Sequence, residues 1–137
     1  MPKTDSYALL LRPNASFTVL DWPTTGQLPV LYDAIGCTYV DAVDVTAHIT
    51  MWLDDEGCLN GSAPNLPALN LFSTFNEPHQ PYWGNVVFTG GTDRNGDTLG
   101  LTKDELLHLI ERHLILATHT KLQLLALLEE HLAPHGE

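Results

Sequence analysis

The sequence predicts an α+β fold: an antiparallel β-sheet with short helices packed on it and a long leucine-rich C-terminal helix or helical hairpin. Three observations predict it. Short apolar and β-branched runs, most of them closed by proline, glycine or asparagine, recur up to Thr89. Two stretches between them space their apolar residues as helices do. At Thr102 the pattern changes to a helical one that does not break before Pro134. With 44% apolar and 17% charged residues in 137, the chain can bury a core despite a net charge of −11, which excludes a wholly disordered acidic tail.

Tyr7-Ala-Leu-Leu-Leu11 reads as a buried strand, broken by Pro13-Asn14. Ser16 to Trp22 alternates polar and apolar residues and pairs with it as a hairpin until Pro23. A helix of about ten residues follows Gly26, with Leu28, Leu31, Tyr32 and Ile35 at helical spacing and Gly36 as its stop. Thr38–Val45 and His48–Leu53 are strands, and Asp54-Asp55-Glu56-Gly57 turns the chain. Cys58-Leu59 reads as a short return strand before Asn60-Gly61. Pro67 to Phe75 reads as a short helix with Leu66, Leu69, Leu71 and Phe72 inward. Asn85-Val-Val-Phe-Thr89 is the expected central strand, and Thr92–Thr98 a polar loop. Thr102-Lys-Asp-Glu105 is a capping box, in which Thr102 accepts from the Glu105 amide while Glu105 reaches back. About 30 helical residues follow, with Thr118-His119-Thr120 as the point where a hairpin would break them. Residues 1–112 thus form an α+β domain, and 113–137 a helical extension of the same compact unit.

The charge is unevenly spread. Between Arg12 and Arg94 there is no lysine or arginine, while Asp41, Asp44, Asp54, Asp55 and Glu56 fall there. Backbone contacts to nucleic acid need basic residues to displace counterions, so direct DNA or RNA binding is not expected. A basic protein partner is compatible with this charge, as is simple solubility. No apolar run is long enough to span a bilayer and no secretory h-region is visible, so the expectation is a cytoplasmic protein without a membrane.

The chemical motifs fall short of catalysis. Cys37 and Cys58 are too few and too far apart for a zinc ribbon or a disulfide framework, and read as reduced structural thiols. Asp93-Arg-Asn-Gly-Asp97 resembles the start of a calcium loop, but Thr98 stands where the sharp turn needs glycine and Asp104 where a bidentate glutamate belongs. Glu105 and His108 form one half of a di-iron pattern with no second Glu-x-x-His. Gly90-Gly91-Thr92 is not followed at once by a helix or by the lysine of a phosphate loop. No catalytic residue, cofactor or metal is therefore expected. His113 and His119 read as edges of a packed face, and Trp22, Trp52 and Trp83 as packing anchors.

Gly36-Cys-Thr-Tyr-Val40, Trp52-Leu-Asp-Asp-Glu-Gly-Cys-Leu-Asn-Gly61 and Pro64-Asn65, followed by Gly84-Asn-Val-Val-Phe-Thr-Gly-Gly91 and Gly96-Asp-Thr-Leu-Gly-Leu-Thr102, recur in one order. In these the chain, over about residues 7 to 112, resembles a family of small proteins of unknown function from bacteriophages and actinobacterial mobile elements. The resemblance implies a mobile-element setting and a cytoplasmic site of action, and carries no activity.

The expected function is a non-enzymatic acidic binding or regulatory protein, possessed by a mobile element and acting on a basic host protein. The alternatives are a small-ligand sponge for a nucleotide signal and a hydrolase assembled from scattered aspartates and histidines. The candidate contact residues are Asp54, Asp55, Glu56, Asn60, Gly61, Asn65, Gly90, Gly91, Thr92 and Asp93, read as loops on one side of the sheet. In the C-terminal helix, Leu107, Ile110, Leu114, Ala117, Leu124 and Leu128 form the stripe expected to cover the sheet. Leu116, Leu122, Leu125, Leu127 and Leu132, together with Leu109, lie on other faces and point to a homodimer.

Overall fold

A computed structural model describes residues 6–78 and 80–132; the expected stop at Pro134 and Gly136 lies outside the described residues. The strands are β1 (Tyr7–Leu11), β2 (Phe17–Asp21), β3 (Val40–Thr46), β4 (Ile49–Asp54) and β5 (Val86–Gly90). The helices are α1 (Gln27–Ile35), α2 (Leu66–Ser73) and α3 (Lys103–Leu132). The strands form one sheet in the order β2-β1-β5-β4-β3, and every neighbouring pair is antiparallel. The α+β class is the one the sequence predicts.

Side chains on a strand alternate between the faces of its sheet, and both faces here are covered. Leu9, Leu11, Met51, Leu53, Val86 and Phe88 point to the face packed by α2 and α3. Ala8, Leu10 and Val87 point to the other, where Leu31 and Ile35 of α1 and the indole of Trp22 cover them. β5 lies in the middle of the sheet, so all five of its residues are buried. This is why Val86-Val-Phe-Thr-Gly90 lacks the alternation of a half-exposed strand.

Local signals set the ends of the helices. Gly36 closes α1 at φ 77°, a left-handed conformation that costs glycine little, and its N–H donates to the Tyr32 carbonyl at 2.8 Å. The capping box forms as expected: Glu105 N–H donates to Thr102 Oγ1 at 3.2 Å, and Thr102 N–H to Glu105 Oε1 at 2.9 Å.

Several expectations are corrected. Cys58-Leu59 is not a strand; the segment after Asp54 coils through successive turns, with the Leu59 and Asn60 amides both donating to the Glu56 carbonyl. Leu28 of α1 is exposed, leaving Leu31 and Ile35 as the buried positions of that helix. Leu66 is also exposed. Two residues turn a helix by about 200°, so Leu66 points away from the side on which Ala68, Leu71 and Phe72 are buried.

The C-terminal segment is a single 30-residue helix, about 45 Å long, and it passes through Thr118–Thr120 without a break. Its packed face is not the expected stripe. Leu106, Leu109 and His113 are buried, Ile110 and Leu116 pack against the same core, and Leu107 and Leu114 face outward. Positions 106, 109, 113 and 116 share one side of the helix, and α2 and β1 lie against it. Leu116 is half-buried and packs against the core. From Thr118 to Leu132 every residue is exposed.

Candidate functional site

The expected contact loops do not meet. β4 and β5 are antiparallel neighbours, with Ile49 opposite Gly90 and Trp52 opposite Val87. The chain leaving β4 at Asp54 therefore emerges at the opposite end of the sheet from the chain leaving β5 at Gly90. Asp54, Asp55, Glu56, Asn60, Gly61 and Asn65 belong to the first end, and Gly90, Gly91, Thr92 and Asp93 to the second.

At the first end, Asp54 organises its own turn. Its Oδ1 accepts from Glu56 N–H at 2.8 Å and its Oδ2 from Asn60 Nδ2 at 2.7 Å. Asn60 Oδ1 then accepts from the Ser62 hydroxyl at 2.6 Å. These residues edge an open polar hollow of about 510 Å³, with Gly84 and Asn85 on its other side. Asn65 is a different kind of residue. It is 1% exposed and all of its side-chain amide is committed within the fold. Its Oδ1 caps α2 by accepting from Ala68 N–H at 2.9 Å, and its Nδ2 donates to the carbonyls of Leu11 at 3.0 Å and Gly84 at 2.8 Å. It pins α2 to the end of β1 and to the turn before β5.

At the second end, Gly90 and Gly91 give close approach to the chain's own backbone. A Cβ on Gly90 would stand 2.5 Å from the Gly100 carbonyl, and one on Gly91 2.8 Å from that of Ala47. The Gly90 amide donates to Leu99 O at 2.9 Å, and the Leu99 amide to Gly91 O at 2.8 Å. Thr92 bridges Thr98, closing a small hairpin. Asp93 Oδ1 accepts from the amides of Asn95 at 2.8 Å and Asp97 at 3.0 Å, so that oxygen shapes the turn.

Acidic residues lie along one margin of the sheet, with Asp41 and Asp44 on opposite faces of its edge strand. β3 is an edge strand, and Asp41 and Asp44 on it are exposed. Val40 pairs with Asp54, and the Asp55 amide donates to Tyr39 O at 3.2 Å, which draws the Asp54–Glu56 turn up to the start of that edge. An acidic edge also discourages strand-to-strand aggregation. Cys37 lies near this end: burial first, and then the negative charge of Asp54, push its thiol above the ordinary value of 9.0. That shift opposes thiolate formation and nucleophilic activation.

The sequence reading missed one polar contact in the core. His113 is 2% exposed; its Nε2 lies 2.8 Å from the Ala15 carbonyl, and its ring meets Phe17 edge-on. A carbonyl only accepts, so Nε2 carries the proton. Ala15 holds φ 74° in the β1–β2 turn, and His113 fastens that turn to α3. Arg112, one residue earlier, lies 4.4 Å over the Phe75 ring and joins α3 to the chain after α2.

A sheet covered on both faces, with an acidic edge and a helix that outruns its support, defines a small α+β domain with surfaces to offer. Over residues 5–114 it matches the family model described as a domain of unknown function, DUF3846, and the chain belongs to that family. No curated protein and no solved structure matches the chain. Among the described residues no helix is long and apolar enough to cross a membrane.

Proposed function

We propose that this chain is a non-enzymatic acidic binding protein that regulates a basic host protein in the cytoplasm, on behalf of a phage or other mobile element. The observation that carries the reading is the acidic edge. Asp41 and Asp44 come from one strand, and Asp55 and Glu56 from the turn beside its start. No lysine or arginine lies between Arg12 and Arg94 to neutralise them along the chain. Such a surface steers a cationic partner and repels a phosphate backbone.

The test is capture from host lysate with the intact chain and with a variant reversed at Asp41, Asp44, Asp55 and Glu56. Asp54 is left in place because it holds its turn. A partner held by this edge is retained at low salt, released as salt shortens the screening length below about 8 Å, and lost in the variant. A partner retained through both changes contradicts the reading and leaves solubility as the role of the charge.

A further inference from the structure

Where the support of α3 ends, a second apolar stripe takes over, turned by roughly a quarter turn from the packed one. Leu116 still touches the core, and beyond it Ala117, Lys121, Leu124, Leu125, Leu128 and Leu132 lie on one side of the helix. All of these from Lys121 onward are exposed, the leucines by 42 to 69%. At the base of this bare half is an apolar groove of about 300 Å³ between α2 and α3, lined by Leu66, Pro67, Leu116, Ala117 and Leu124. Residues 118–132 extend about 22 Å.

We infer that this face is covered by the same face of a second copy of the chain, with the two helices antiparallel and their two-fold axis near Leu125. The charges select this occupant and this direction. Residues 118–132 carry one lysine and two glutamates in a chain of net charge −11, so this is a segment through which two copies meet without strong repulsion. A parallel pair would set Glu129 level with its own copy and the two acidic bodies side by side. The antiparallel pair puts the bodies at opposite ends. Lys121 and Glu129 lie four residues either side of Leu125, so each lysine comes level with the partner's glutamate. The same register brings the partner's Leu132 level with Thr118, next to Ala117 and the groove that Leu66 and Pro67 line. Each chain thus covers the half-helix that the other leaves bare.

Sedimentation equilibrium of the full chain tests this, with circular dichroism confirming that each variant is folded. The expected result is a dimer that Leu125→Glu converts to a monomer with its fold intact, since Leu125 is exposed on the half of α3 beyond the core. Lys121→Glu is expected to weaken the dimer about tenfold by setting like charges level. Adding Glu129→Lys to that variant is expected to restore it. A folded monomer of 15.1 kDa at high micromolar concentration overturns the proposal, as it would if this face took a foreign helix instead. So does a dimer that Leu125→Glu leaves whole, and so does a charge swap that fails to restore association.

Discussion

The two halves of α3 are written in nearly the same alphabet and live in different surroundings. Residues 103–117 bury Leu106, Leu109 and His113 against α2 and β1. Residues 118–132 hold six leucines and bury none of them. Helical propensity and periodicity do not separate the halves; the presence of a covering element does. A helix that is apolar around most of its circumference states that burial is needed without saying by what. In the first half the body supplies it, and in the second the body does not.

Removing one leucine from each half opens the comparison widest. Leu109→Ala leaves a cavity in the core and is expected to cost about 3–4 kcal/mol of unfolding free energy. Leu124→Ala, measured at low concentration, is expected to stay within about 0.5 kcal/mol. Equal losses in urea titrations would mean that the second half is packed on its own body.

Asn65 and Asn60 give a second contrast, because both are expected contact residues and only one is buried. Asn65→Ala removes a helix cap and the side-chain donor to the Leu11 and Gly84 carbonyls, an expected loss of about 2–3 kcal/mol. Asn60→Ala touches an exposed turn and is expected to cost less than about 1 kcal/mol. The reverse order in thermal unfolding would contradict the role given to Asn65.

What the sequence disclosed follows from how local each signal is. The capping box, Gly36 and the run from Val86 to Thr89 each declare themselves within a few residues, and each appears where expected. Asn65 does not, because the carbonyls it binds are 54 and 19 residues away in sequence. The packed face of α3 was illegible for a related reason. Two leucine stripes are offered by the same helix, and only α2 and β1 choose between them. Neighbouring strands suggest that the contact loops lie together; the antiparallel direction of those strands sends the loops apart.

The start of α3 can be loosened without touching its packed face. Thr102→Ala removes one half of the capping box and is expected to cost about 1 kcal/mol. Glu105→Gln keeps a side-chain acceptor for the Thr102 amide and should cost less.

The smallest expected effect is alkaline. Burial raises Tyr82 above its ordinary 10.0, and burial with the Asp54 charge raises Cys37 above 9.0. Both groups are neutral when protonated, so in this range the folded chain keeps protons that the unfolded chain has lost. Their contribution is fully present below the ordinary values and declines as pH rises through the raised ones. Urea midpoints are expected to fall between neutral pH and about pH 10, and to fall less in Cys37→Ser. A midpoint that rose with pH would contradict both shifts.

The contrast between the two halves is tested most directly by amide hydrogen exchange along α3 of the full chain, followed at high and at low concentration. Amides of residues 106–117 are expected to be protected close to the level of global unfolding at both concentrations, because α2 and β1 cover them. Those of residues 118–132 are expected to be protected at high concentration and to exchange rapidly on dilution, as their cover dissociates. Protection of the second half that equals the first and ignores dilution would contradict the account.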